Sequence, residues 1–500
     1  MNRPVNRDVN RDVNRATSKE QSVLFDAFRE VAAERHDRVA VRTTSGETLT
    51  YGELSQYAQE LSHGLARHGV LPGTVVATRL ENSPGYVALM LALCRLGAIH
   101  LPISLASPPA RAQWLTDQAR PALLVTSGDP AAAPHGPQAV ALSGIRRRTG
   151  EGATEVRPVL RDAEDVPFRL LETSGSTGRP KLVAWRQPDL LSDRTEWIRL
   201  LGIAPGDVLG CMHPLDVAHG TDVHMWPALL SGAELLLVSP AAPGDVLAAL
   251  REHAVTVFSA LPRHYEQLAE AAGALGGVQL PHLRLPMSGG AYLGGSTVRR
   301  VRKTLGVGMR RIYGSTEFGI VLGNFADEHQ EERGMRPLPG VEVRLAPLRP
   351  DAPRLGELIA RSTATASGYY GNPEATAASF QDGWYHTGDV AELGPDGEYR
   401  LLGRVGDAIP AGDGVVFAPP LEETLADRCP VREVVVLAGA TGGVLIVAAP
   451  SPGVPANEAA DSLTAVLEDI GLAAPVRITD EIPHTPVGKP DRPRVRELYG

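Results

Sequence analysis

The sequence predicts an α/β fold: a large N-terminal domain of parallel-rich sheets flanked by helices, with a β-barrel-like part, and a small mobile α+β domain at the C-terminus. Three observations predict it. Apolar residues recur at helical spacing in several stretches, short apolar runs alternate with those stretches, and after Gly356 the texture changes to paired strand-like runs. Helices alternating with short apolar strands are the pattern of largely parallel sheets covered on their faces. At 500 residues the chain is long enough to bury a substantial core and to divide into two or three domains.

The N-terminal 20 residues, MNRPVNRDVNRDVNRATSKE, repeat VNRD and lack the apolar core of a signal peptide, so residues 1–20 read as a disordered tail. Beyond it, Leu54, Ala58, Leu61 and Leu65 mark a helix, broken near Gly69 to Gly73 before the strand-like VVATRL at Val75 to Leu80. A second helix over Tyr86 to Leu96 leads into the turn-rich HLPISLASPP. LLVT at Leu123, ELLLV at Glu234 and TVFSA at Thr256 read as strands. Residues 129–165, rich in Ala, Pro, Gly and Arg, read as surface loop.

From Gly356, GELIARS, GWYHTGDVAEL and GEYRLLGR read as hairpin-forming strands, with a turn at Tyr370 to Pro373. A boundary between Gly403 and Gly406 divides residues 21–403 from a domain at 404–500, in which VREVVVLAG, GVLIVAAP and ADSLTAVLEDIG supply strands and a helix. The chain stops soon after Lys489, and no appended carrier or condensation domain is expected.

Composition excludes several classes of function. The net charge of −9 offers no basic footprint for polynucleotide phosphates. Cys94, Cys211 and Cys429 are odd in number and lack metal-type spacing, which points to a reducing, cytoplasmic setting. No apolar run approaches the roughly 20 residues that cross a bilayer, so no membrane partner is expected.

Four stretches carry chemistry. In LLETSGSTGRPK, Gly175 and Gly178 permit a tight turn whose N–H groups face an anion, Thr173, Ser174, Ser176 and Thr177 add hydroxyls, and Lys181 adds charge. The spacing is not that of GxxxxGK[ST], and a plain flexible loop is the competing reading. In RIYGSTEFGIV, Glu317 suits a divalent cation against phosphate oxygens, Thr316 a phosphate, and Tyr313 a flat base; a solvated loop carboxylate is the alternative. In WYHTGD and the following LLGR, Asp389 suits a ribose diol, with Arg404 completing the clamp. Finally, PHTPVGKPDR places Lys489 after Gly488 near the C-terminus.

In this order and spacing the four stretches resemble the ANL superfamily of adenylating enzymes: acyl- and aryl-CoA ligases, stand-alone and peptide-synthetase adenylation domains, and firefly-type luciferases. The resemblance runs from LTYGELSQYAQELSHGLARHGV at about Leu49, through RLGAIHLPIS and GELIARS, to the C-terminus. It implies an N-terminal domain that binds ATP and acid and a C-terminal lid. Ser174, Ser176, Thr177 and Lys181 would lie around the β- and γ-phosphates. Thr316 would contact the α-phosphate, Glu317 Mg²⁺, Tyr313 the adenine, and Asp389 and Arg404 the ribose. Gly289, Gly290, Gly314 and Ser315 would complete the nucleotide site, and Lys489 would be the catalytic lysine. ATP and Mg²⁺ are the implied substrate and cofactor, with CoA or a carrier-protein phosphopantetheine as acceptor.

Departures from the superfamily pattern bear on the second half-reaction. The usual GRxDDxIKxxGxxVxPxEIE reads here GRVGDAIPAGDGVVFAPPLEETL. Gly406 stands at the hinge Asp, Pro410 at a basic or polar position, Asp413 where a glycine lines the thiol route, and Ala418 and Pro420 at the Pro and first Glu. A glycine still hinges. Asp413 adds bulk and negative charge beside the thiol route, although a one-residue shift places Gly412 or Gly414 there.

For the acid pocket, His219 aligns with the His of acyl and aryl activators or with the Asp that holds an α-amino group, which favours an acid without α-ammonium. Asp216 and Asp222 leave an amine elsewhere on the acid open, and Ile312, Ile320 and Val321 suggest an apolar wall for an aryl or short branched acyl group. The spacings of His213, His219 and His224 fit no standard structural zinc pattern. The expected function is adenylation of a small acid in secondary metabolism, such as antibiotic biosynthesis, with transfer to CoA or a separate carrier protein. Amide formation with an amine, activation of an oxyanion such as nitrite, and a non-catalytic adenylate-binding protein are the alternatives.

Overall fold

The computed structural model describes residues 22–128, 137–145, 166–173, 180–239, 242–325, 334–412, 414–440, 442–484 and 490–500. They form two compact units: one from the described residues within 22–173, 181–239 and 364–373, the other from those within 242–363 and 374–500.

In the first unit, helix Tyr51–Arg67 begins at a capping box: the Thr50 hydroxyl accepts from the Glu53 N–H, and the Glu53 carboxylate accepts from the Thr50 N–H. Helix Pro84–Leu96 starts from Ser83, whose hydroxyl accepts from the Tyr86 N–H, and ends at Gly97 in the left-handed region with φ 65°. These helices carry the predicted apolar faces.

Strands Val75–Arg79, Ile99–Pro102, Leu123–Thr126 and Arg169–Thr173 form the centre of the parallel part of a seven-stranded sheet. Its core includes Leu101, Leu115, Leu124 and Leu170. Val208–Cys211, Glu234–Leu237 and Val39–Thr43 form a second run of parallel strands.

The loop expected over residues 129–165 needs correction in its described part. Gln138–Ala141 is a parallel edge strand beside Leu123–Thr126, and Leu142–Ile145 is a short helix. Ile145 is fully buried, with its carbonyl so close to Gly64 that no side chain would fit there. The short apolar pattern of QAVALSGI is swamped in sequence by its Ala, Pro, Gly and Arg surroundings, but the open sheet edge recruits it.

In the second unit, Val257–Ala260, Leu285–Ser288 and Arg310–Ser315 run parallel, and Gly319–Gly323 returns antiparallel to the last. The barrel-like part takes the form of a five-stranded antiparallel sheet containing Glu342–Pro347, Leu355–Arg361, Trp384–Leu393 and Tyr399–Arg404. Near the C-terminus, Val431–Ala438, Val444–Pro450 and Val476–Ile478 form a three-stranded sheet. Helices Ala418–Arg428 and Ala456–Asp469 cover one face, packing Leu425 and Leu463 around Ile446 of the sheet. Helix Arg492–Tyr499 covers the other through Val495, beside Val435 and Leu445. This is the small α+β element expected from the sequence.

Candidate active site

In the first unit a β-hairpin ends at the two residues that bracket the Gly/Ser/Thr-rich motif. Strands Arg169–Thr173 and Lys181–Trp185 pair antiparallel with Thr173 opposite Lys181. Ser174, Gly175, Ser176, Thr177 and Gly178, which join them, lie outside the described residues. Lys181 Nζ sits 4.4 Å from the centroid of the Tyr369 ring.

The stretch from His213 to Met225 is anchored by a residue the motif reading missed. The Asn82 amide donates from Nδ2 to the His213 carbonyl and accepts at Oδ1 from the Leu215 N–H, each at 2.8 Å. The signal available in sequence was its place just before the Ser-Pro helix start. His213 and His219 stack with ring centroids 3.9 Å apart, and His224 lies 5.8 Å from His219 with its Nδ1 3.0 Å from the His219 carbonyl.

Asp222 and His224 stand on a π-helical turn, Thr221–Met225, a distortion often found at functional sites. Asp222 is committed to the protein: Arg169 donates from Nη1 and Nη2 to its two oxygens at 2.5 and 2.8 Å, and buried Arg194 donates to its backbone carbonyl. Burial by itself would raise the Asp222 carboxyl, but the charge and hydrogen bonds of Arg169, with Arg194 and Thr221, outweigh it and hold it below the usual range.

Asp216 is different. Burial pushes its carboxyl up, opposed by hydrogen bonds from Ser104 and its own backbone, and its Oδ1 has no hydrogen-bond partner among the described residues. Of the two aspartates singled out in sequence, Asp216 alone keeps acceptor capacity for a ligand.

In the second unit the RIYGSTEFGIV, WYHTGD and LLGR motifs converge. Hairpin strands Trp384–Leu393 and Tyr399–Arg404 place Asp389 opposite Arg404, and Arg404 Nε donates to Asp389 Oδ1 at 2.7 Å. The Tyr313 hydroxyl donates to the other oxygen, Oδ2, at 2.6 Å. Burial raises the Asp389 carboxyl; Tyr313 and Arg404 oppose this, while Glu317 and Glu357 push it further up. Burial first, then the charge of Asp389, holds the Tyr313 phenol protonated well above its usual range.

The Asp389 turn is itself fixed: Gly388 has φ 70° and donates its N–H to Glu357, while the Asp389 N–H donates to the Thr387 hydroxyl. Glu317 is buried, and with Thr316 it lies on the connection from the end of strand Arg310–Ser315, at Ser315, to Gly319–Gly323. A buried carboxylate that perturbs a second one suits a hard divalent cation such as Mg²⁺, which would offset their mutual repulsion.

The glycines of this region are steric necessities. A Cβ on Gly289 would meet the Ile312 carbonyl oxygen at 2.7 Å, and one on Gly314 the Gly319 carbonyl oxygen at 2.2 Å. Gly290 adopts φ 77°. Ile312 is buried, Ile320 half-buried, and Val321 wholly buried in a cluster with Phe318, Leu358 and Tyr385.

Lys489 lies outside the described residues, but the flanks of its segment are pinned together: His484 pairs with Pro490, and the Asp491 N–H donates to the Pro483 carbonyl at 2.8 Å. Gly406 stands in a single helical turn, Val405–Asp407, that follows strand Tyr399–Arg404 directly; Asp413 is not among the described residues.

A family described as AMP-binding enzyme matches residues 28–370. The chain is 29% identical to a feruloyl-CoA synthase from Amycolatopsis sp over 91% of this chain and 95% of that relative. It is 30% identical to novobiocin biosynthesis protein H from Streptomyces niveus over 95% of this chain and 82% of that protein. The structure of the amide bond synthetase McbA from Marinactinospora thermotolerans superposes with a TM-score of 0.80 at 26% identity, covering 95% of this chain and 100% of that one. With the Tyr313–Asp389–Arg404 constellation in place, the chain belongs to the AMP-binding enzymes of the ANL superfamily and is an AMP-forming acid ligase.

Proposed function

We propose that this enzyme condenses a small aryl or short acyl carboxylic acid with ATP to an acyl-AMP, releasing pyrophosphate, and passes the acyl group to CoA or a carrier-protein thiol. The observation that carries the reading is Asp389, held between the Tyr313 hydroxyl and the Arg404 guanidinium, an arrangement that supports a role as acceptor for a ribose diol.

A carboxylate attacking the α-phosphorus brings two anions together, so catalysis rests on placing positive charge where charge accumulates. Lys181, with Ser174, Ser176 and Thr177, holds the departing phosphates; Lys489 bridges acid and α-phosphate; Thr316 contacts the α-phosphate; and Glu317 holds Mg²⁺, which neutralises phosphate charge when bound. Residues 21–403 serve as the ATP- and acid-binding domain and 404–500 as the lid, hinged at Gly406.

The commitment of Asp222 to Arg169 supports an acid without an α-ammonium group, with Asp216 and His219 near the acid. Relatives that include a feruloyl-CoA synthase and novobiocin biosynthesis protein H support an aryl acid and a role in secondary metabolism. Cysteines that are buried and unpaired support a cytoplasmic setting. Among the described residues, no helix is long and apolar enough to cross a membrane.

Amide formation with an amine acceptor is the second reading. It is favoured by the altered GRVGDAIPAGDG loop and by the likeness to an amide bond synthetase.

Acid-dependent ATP–pyrophosphate exchange over a panel of acids tests the first half-reaction, with hydroxylamine trapping of the adenylate. Absence of both with every acid would overturn the reading. Incubating the productive acid with CoA, carrier protein or amines then separates the acceptors.

A further inference from the structure

We infer that Tyr369 is a positioning residue for Lys181, holding its ammonium against the face of the Tyr369 ring. The inference rests on the phosphate role proposed for Lys181 and adds a partner that no motif assigns.

The geometry begins with an edge strand. Gly368–Tyr369 pairs antiparallel with Lys181–Trp185, with Tyr369 opposite Val183 and Gly368 opposite Ala184. Backbone bonds from Ser367 to the Ala184 carbonyl and from Tyr370 to the Leu182 carbonyl, each 2.8 Å, flank the pair. Residues two apart on a strand share a face, so Lys181 and Val183 project on one side, and Tyr369 opposite Val183 becomes the diagonal neighbour of Lys181. Nζ accordingly lies 4.4 Å from the ring centroid, within cation–π range, and Tyr369 is only 7% exposed. Gly368, at φ 122°, takes a backbone conformation that a side chain would strain, which sets the register of the tyrosine.

Lys181 is the first residue after the loop, opposite Thr173. A free lysine at that mouth would sample many rotamers, and binding a polyphosphate would have to freeze them. The ring restricts the ammonium beforehand while leaving its charge intact, and the ring face competes weakly with a phosphate oxygen. The interaction therefore acts on ATP affinity through Lys181 rather than on the chemical step.

The test is steady-state pyrophosphate exchange with purified Tyr369→Leu, Tyr369→Phe, Lys181→Ala and the double variant Lys181→Ala/Tyr369→Leu, each checked for folding by circular dichroism. Tyr369→Leu is expected to raise KM for ATP about three- to tenfold with kcat little changed. Tyr369→Phe, which keeps the π face and loses only the hydroxyl, is expected to match the parent, and the double variant to be no worse than Lys181→Ala. A parental KM in Tyr369→Leu, equal damage in Tyr369→Phe, or additive effects in the double variant would each overturn the inference. Should Tyr369→Leu fail to fold, Tyr369→Met, unbranched and ringless, takes its place under the same criteria. A parental KM in Lys181→Ala would instead defeat the phosphate reading of Lys181 itself.

Discussion

Arg169 grips both oxygens of the Asp222 carboxylate at 2.5 and 2.8 Å, joining a core strand to a π-helical turn with almost no exposure of either side chain. Removing one partner of such a pair leaves a charge buried without compensation. Arg169→Met is expected to destabilise the fold by about 3–5 kcal/mol, read from the shift of a chemical denaturation curve. A loss under about 1 kcal/mol would mean that the pair is structurally idle. Because the folded Asp222 pKa lies below its ordinary 3.8, the contribution of the pair is present at neutral pH and is lost only as pH falls below the carboxylate range.

Asp389 carries the opposite sign. Burial raises its carboxyl, so the folded state binds the proton more tightly than the unfolded chain, and ionised Asp389 costs stability at neutral pH. Asp389→Asn is therefore expected to raise the melting temperature, since the partner Arg404 is half-exposed and loses little. The same change is expected to raise KM for ATP by about tenfold or more. In the parent enzyme, KM for ATP should climb on the acid side at a higher pH than an ordinary aspartate would titrate, and that limb should vanish in Asp389→Asn. A variant that is less stable yet binds ATP normally would contradict both statements.

Lys489→Ala should abolish acid-dependent exchange, with a rate loss of about 10²–10³, while the melting temperature stays within a degree or two of the parent. Full exchange activity in that variant would remove Lys489 from the mechanism.

Gly314→Ala places a methyl against the Gly319 carbonyl oxygen, where the gap is 2.2 Å, in the hairpin that presents Tyr313 and Glu317. The strand must shift, costing about 1–3 kcal/mol, and exchange should fall through a raised KM for ATP. Thermal melting with exchange kinetics checks it; an unaffected protein would show that the hairpin is looser than its backbone contacts indicate.

Much of the fold was legible because the signals are local. The apolar spacing of Leu54, Ala58, Leu61 and Leu65, the helical stretch from Tyr86 to Leu96, and the hairpin texture of GWYHTGDVAEL and GEYRLLGR each lie within a few residues of what they specify. The convergence of Tyr313, Asp389 and Arg404 was anticipated for a related reason: with Glu317, they sit in short motifs whose order along the chain is itself informative. Arg169 was missed although an arginine inside the apolar run FRLL is a usable warning of a buried partner.

By itself, the sequence determined the alternating α/β architecture, the C-terminal α+β element and the resemblance to the adenylating enzymes of the ANL superfamily. Only the tertiary structure decided which of Asp216 and Asp222 keeps acceptor capacity for a ligand, that QAVALSGI joins a sheet edge, and that Gly368–Tyr369 returns to pair beside Lys181. The physical reason is range. Periodicity and capping report neighbours a few residues apart, whereas ion pairing and edge-strand recruitment depend on which buried charge and which unpaired backbone edge the folded chain leaves to be satisfied.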